Sequence, residues 1–241
     1  MNGSKMIFSG SLYSYLGGTA SERTIRTYSS EWISGNLAYL EQGGVRMIPW
    51  KDDPKRPCFN EWLPEDIYQA FLLYASSAAA GMPMLSRIPR GFKSRKHPLV
   101  RKIMHSDDMI WEKTLFSLLF VPSPDMFTYY TSLPDIGDIL ASSTAALEEL
   151  LDRINERTWG ADPYTIISWS DDSKASGMKI KNALVPDKEG TIDGEAAAKY
   201  AYSILFRGLM FSQSGGTPLI IGREGNEYYG RRFQKRRGET Y

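Results

Sequence analysis

Strand-like and helix-like segments do not alternate along this chain, and that irregularity limits its fold more than any other feature. Short β-branched or aromatic runs bounded by Gly, Pro, Asp or Ser occur at residues 6–8, 45–50, 125–131, 164–169 and 219–222, and each reads as a strand. Four apolar stripes of helical period lie among them at uneven intervals. A doubly wound parallel sheet needs a regular β-α repeat. The expected class is therefore a mixed α+β fold with short strands and about four helices.

The helices are predicted from their ends as much as from their stripes. Pro64, Glu65 and Asp66 suit a first turn, where Pro loses no bonded amide and acids meet the positive end of the helix dipole. Ile67, Phe71, Tyr74 and Ala78 then share one face as far as Gly81 and Pro83. A second helix is predicted to follow Ser106 or Asp107, to use Ile110, Trp111, Leu115, Leu118 and Leu119, and to end before Pro122. The third covers about 143–157, with Ala146, Leu147, Leu150, Leu151 and Ile154 as its stripe and Glu149 placed to pair with Arg153. The fourth begins at Asp193 as N-cap and runs to about residue 211, with Gly208 weakening it near its end. Segments 51–57, 82–98 and 171–190 read as loops. On this reading residues 1–135 form an N-terminal α+β region with a basic loop at 82–102. Residues 136–241 form a helical C-terminal region with a basic tail at 230–241, unless the whole chain is one domain.

A length of 241 residues with 42% hydrophobic content supports a real core, and 6 Trp, 14 Tyr and 10 Phe argue against disorder as the main state. One cysteine excludes an internal disulfide framework and a multi-cysteine zinc module, and it suits a reducing, cytoplasmic setting. The first residues lack the character of a signal peptide. No apolar run approaches the roughly 18 residues of a membrane helix, so no membrane partner is expected.

The formal net charge of +1 conceals a strong polarity. No acid lies between Asp66 and Asp107, yet Arg87, Arg90, Lys93, Arg95, Lys96, Arg101 and Lys102 fall in that interval. Near the end of the chain Arg231, Arg232, Lys235, Arg236 and Arg237 form a second cluster. These two windows hold 12 of the 29 basic residues and none of the 28 acids, which leaves 17 basic against 28 acidic residues elsewhere.

Catalytic signatures are sparse. The chain has no nucleophile elbow, phosphate loop or dinucleotide fingerprint, and no catalytic residue, cofactor or metal ligand is assigned. Cys58 reads as a small semi-buried hydrophobe. Asp172 and Lys174 after the segment 164–169, with Asp135, could hold Mg²⁺ and orient a water, but Asp171, Asp172 and Ser173 are also ordinary turn residues. In the sequence from His105 to Asp108, Asp107 is more simply a helix cap than a metal ligand. An endoribonuclease or metal-dependent endonuclease is the enzymatic alternative. The glycine pairs at 214–217 and 16–19 could present amides to phosphate, or merely turn the chain.

Binding explains the clusters better than catalysis. Lys and Arg neutralise phosphates and release counterions, and Phe92 amid the first cluster could stack on a base or wedge into a duplex. The basic loop is expected to be a flexible surface feature, not a regular helix. Aromatics interleave with the second cluster at Tyr228, Tyr229 and Phe233. The expected partners are RNA or DNA and the other protein subunits of a complex. A protein-interaction scaffold with a polybasic surface is the third alternative.

The sequence Val100-Arg-Lys-Ile-Met-His-Ser-Asp-Asp-Met-Ile-Trp-Glu-Lys-Thr-Leu-Phe-Ser-Leu-Leu-Phe-Val-Pro-Ser-Pro-Asp-Met-Phe follows the basic loop. It resembles the middle of the compact large-subunit proteins of type IV CRISPR effector complexes. There an Arg/Lys-rich stretch leads through Ser and Trp into a helix containing Lys and Leu, and then into a strand begun by Pro. The resemblance covers about 30 of 241 residues. The chain departs from those proteins in lacking the cysteines of their zinc module. The resemblance implies a non-catalytic subunit of an antiviral ribonucleoprotein, one that binds the 5′ end of a guide RNA and reads a short duplex motif beside a DNA target. It assigns no role to any single residue.

Overall fold

A computed structural model of the protein describes residues 5–12, 15, 22–50, 58–133 and 137–223. In chain order its elements are β1 (Lys5–Ser9), α1 (Glu22–Gln42), β2 (Asn60–Pro64), α2 (Glu65–Ala80), β3 (Arg87–Pro89), α3 (Pro98–Ile103), α4 (Met109–Glu112) and β4 (Leu119–Val121). There follow β5 (Thr128–Leu133), β6 (Gly137–Ser143), α5 (Thr144–Thr158), α6 (Pro163–Ser168), α7 (Ala175–Ala183), β7 (Thr191–Asp193), α8 (Gly194–Gly215) and β8 (Leu219–Arg223). Single 3-10 turns occupy Ser94–Lys96 and Thr114–Phe116.

Six strands form one mixed sheet in the order β2-β1-β8-β4-β6-β5, and β3 and β7 form a separate antiparallel pair. Among the described residues only the β4/β6 pairing is parallel. The fold is mixed α+β. The large sheet takes strands from both sides of residue 135, and the β5–β6 hairpin straddles that point.

Both faces of the central strands are covered, which explains their unbroken apolar sequences. In β4, Phe120 faces a core built from α2, α5 and α8, while Leu119 and Val121 face a second core with Leu40 of α1. Leu219 and Ile221 of β8 face the first core and Ile220 the second, the two-residue alternation of an extended strand. Segment 45–50 is not a strand. It lies on the second core through Val45, Met47 and Trp50, held by the Ile48 amide to the Pro122 carbonyl (3.3 Å) and by Arg46 to Asp125 (2.9 Å through Nε).

Where caps are strong, the predicted helices form. α2 ends at Gly81 (φ 64°), whose amide reaches the Ala78 carbonyl while that of Met82 reaches Ser77, the two bonds of a left-handed helix stop. Ser143 caps α5 through the Ala146 amide (3.0 Å), and Glu149 pairs with Arg153 at 2.6 Å. Asp193 caps α8 through the Ala196 amide (2.8 Å), and α8 extends to Gly215. Gly208 is a packing requirement within it: a Cβ there would lie 2.9 Å from a Leu219 methyl and 3.1 Å from the Phe59 ring.

Several expectations fail for identifiable reasons. Segment 164–169 is the helix α6 plus its C-cap, because Asp162 accepts the Tyr164 and Thr165 amides (3.0 and 3.1 Å) and Pro163 occupies the first helical position. The single helix expected after residue 106 is broken. Asp108, not Asp107, caps the short α4; a 3-10 turn follows, and the rest enters the sheet as β4. Segment 171–190 contains α7. Strand β5 begins at Thr128, three residues later than expected. The sequence reading places no helix over the 21 residues of α1. Eight α-helices are present among the described residues, against about four expected. No helix of these residues is long and apolar enough to cross a membrane.

Candidate nucleic-acid interface

The first basic cluster sits on an ordered framework, contrary to the flexible loop expected from its Pro and Gly content. The ladder between β3 and β7 places Arg87 opposite Asp193, with Ile88 and Ile192 anchored in the core. Gly91 (φ 73°) turns the chain and donates its amide to Asp66 Oδ1 at 3.0 Å. Ser94 is fully buried, and both its amide and its hydroxyl donate to Gln69 Oε1 (3.0 and 2.6 Å). His97 Nδ1 accepts the Leu99 amide (3.3 Å), and Pro98 begins α3. Val100 and Ile103 point into the core one helical turn apart, which turns Arg101 and Lys102 to solvent.

The seven cations divide into two groups. Arg87 pairs with Asp187 (2.6 Å), Arg90 with Asp66 (3.8 Å) and Lys93 with Glu65 (3.0 Å). Each acid comes from outside the acid-free interval or from its boundary. Arg95, Lys96, Arg101 and Lys102 are exposed, and no described carboxylate lies within ion-pair distance of them. Arg101 Nε donates to the Arg95 carbonyl at 3.2 Å, tying α3 to the preceding turn. Phe92 is half-buried against the core with its ring 6.1 Å from that of His97, so only part of it is open to a ligand. Arg231, Arg232, Lys235, Arg236 and Arg237 lie outside the described residues.

Asp187 links this face to its turn. Its carboxylate accepts the Glu189 and Thr191 amides (both 2.9 Å) and the Thr191 hydroxyl (2.7 Å). These bonds, the Thr191 hydroxyl first, hold its pKa below the ordinary carboxylate range.

Beside Arg95 opens a cavity of about 440 Å³. Its apolar walls are Met6, Leu72, Phe116, Leu118 and Ile221; its polar lining is Tyr68, Gln69, Lys93 and Arg95. Burial pushes the Tyr68 phenol above its ordinary range despite the opposing charge of Arg95, so it remains a hydroxyl at neutral pH. Sequence reasoning missed Tyr68 and Gln69. The available signal was a glutamine inside a helix whose neighbours Ala70, Phe71, Leu72 and Leu73 are all apolar.

The other sequence candidates are used locally. Asp172 pairs with Lys181, Asp171 accepts the Ser173 amide (3.0 Å), and Lys174 lies over the Tyr164 ring. The Asp172–Lys174 pair is therefore not assembled for a metal, and Asp135 lies outside the described residues. Asp108 caps α4 and binds Arg153 (2.8 Å). Cys58 is exposed instead of semi-buried. Gly216 (φ 61°) is the left-handed stop of α8, and the amides of Gly216 and Thr217 both bond the Ser212 carbonyl, so they are not offered to a phosphate. The glycine pair at 16–19 lies outside the described residues. Among those residues no three His, Cys, Asp or Glu side chains gather as a metal site.

No protein-family model matches this chain, and no curated protein or solved structure matches it significantly.

Proposed function

We propose that this protein binds nucleic acid through Arg95, Lys96, Arg101 and Lys102, holding it without cutting it, as a subunit of a larger ribonucleoprotein assembly. The carrying observation is the set of four exposed cations without a described acidic partner, mounted on a 3-10 turn and a short helix whose other side is buried. Such charges bind phosphate oxygens and release counterions, while the three paired cations serve the fold first. Arg95 and Arg101 are the residues suited to bidentate contact with phosphate or a guanine edge.

Fluorescence anisotropy with labelled RNA and DNA tests this, comparing the natural chain with a variant carrying Ser at all four positions. Salt-sensitive binding that the variant loses supports the reading; equal binding by both proteins overturns it. Incubation of the same strands with and without Mg²⁺ tests holding against cutting, and a discrete product from the pure protein would replace the binding role with a nuclease.

A further inference from the structure

The cavity beside Arg95 has a one-sided polar inventory. Tyr68 is 5% exposed, yet its hydroxyl has no hydrogen-bond partner among the described residues. Gln69 engages its oxygen with Ser94 and leaves its amide nitrogen unengaged among those residues. Arg95 contributes a guanidinium with no described acidic partner. Each of these can donate a hydrogen bond, whereas the walls from Leu72, Phe116 and Leu118 offer only apolar contact. A complementary ligand has a flat apolar body, acceptor atoms on its edge and a negative charge at one end. A nucleotide combines all three: ring faces for the walls, carbonyl and ring-nitrogen acceptors for Tyr68 and Gln69, and a phosphate for Arg95.

We infer that the cavity receives one unstacked nucleotide of a bound strand, with the base inward and its phosphate on Arg95. This rests on the nucleic-acid function proposed above and deepens it. Arg95 belongs to both the exposed face and the cavity lining, so a strand gripped by Lys96, Arg101 and Lys102 reaches the cavity mouth. Single strands are the preferred class, because a base drawn from a duplex must first lose pairing and stacking.

Titration calorimetry on the full chain uses uridine and adenosine 5′-monophosphates, the two nucleosides, inorganic phosphate and decanoate. Anisotropy uses a labelled single strand and the matching duplex. The monophosphates are expected to bind more tightly than nucleoside or phosphate, and the single strand more tightly than the duplex. Tyr68→Phe should weaken monophosphate binding about three- to tenfold, the effect of one hydrogen bond. Leu118→Trp, from a half-buried wall position, should block it. If Leu118→Trp fails to fold, Tyr68→Phe still decides, since its ring keeps its contacts with Phe8 and Phe71.

Failure of the monophosphates to bind, with strand affinity equal in the natural chain and both variants, overturns the inference and leaves the nucleic-acid reading intact. Preference for decanoate overturns the nucleotide assignment. Absence of strand binding by the natural chain overturns the nucleic-acid reading, and monophosphate binding in that case supports the cavity as a nucleotide site in its own right.

Discussion

Replacing Arg95, Lys96, Arg101 and Lys102 together by Ser removes four positive charges from one face without breaking an ion pair among the described residues. If each contacts one phosphate, the logarithm of the binding constant should fall against the logarithm of salt with a slope contribution of about −2.8 on single strands and about −3.6 on duplex. Between 50 and 200 mM salt, a fourfold change, that contribution alone costs about 50-fold in affinity for single strands and about 150-fold for duplex. The measured quantity is the difference in slope between the natural chain and the variant, so contacts made by Arg231 to Arg237 cancel. Arg87→Ser is the comparison. Arg87 is already paired with Asp187, so its loss should change the single-strand slope by less than the roughly 0.7 of one phosphate contact. A slope difference near zero for the fourfold variant, with both proteins binding, would refute the assignment of this face.

Three further outcomes test the framework. Asp193→Ala should lower stability by about 1 kcal/mol in chemical denaturation through loss of the α8 cap; an unchanged midpoint would show the cap to be dispensable. Gly194→Ala places a Cβ 2.3 Å from the Leu85 carbonyl oxygen and should cost about 1–3 kcal/mol, read as a lowered thermal midpoint. Asp187 has a folded acidity stronger than its unfolded value, so its contribution is present above the unfolded pKa and lost as pH falls through the lower, folded one. Stability of the natural chain should therefore drop on acidification below about pH 4, and Asp187→Asn should show a smaller drop over the same window. Equal acid sensitivity in the two proteins would remove Asp187 from the account.

The helices that were legible in the sequence carry their own punctuation. Pro64 and Gly81 bracket α2, Ser143 begins α5 and Asp193 begins α8, and each acts within four residues of its position. α6 carries Asp162 and Pro163 at its start, but its Tyr-Thr-Ile-Ile sequence has the aromatic and β-branched character of a strand. The segment from Met109 to Val121 has a helical stripe throughout, yet its second part lies between β6 and β8. An apolar strand buried on both faces has no alternation to distinguish it from a buried helix.

The candidate site was legible as a count and not as an arrangement. Seven cations in an acid-free interval suggested seven phosphate contacts. Asp187, 100 residues from Arg87, and Glu65, 28 residues from Lys93, take two of those cations, and Asp66 takes Arg90. The cavity was not legible at all. Its lining comes from β1, α2, the turn at Ser94–Lys96, the segment around Leu118 and β8, and no local pattern links these.

By itself the sequence determined the mixed α+β class, the capped helices and the location of the positive charge. Those depend on backbone propensity, capping and periodicity, which act over one or two helical turns. Only the tertiary structure decided which charges remain available, which apolar segments become strands, and where a half-polar cavity opens. Coulomb pairing and burial depend on distance in space, and folding brings together Arg87 and Asp187, or Met6 and Arg95, from distant parts of the chain.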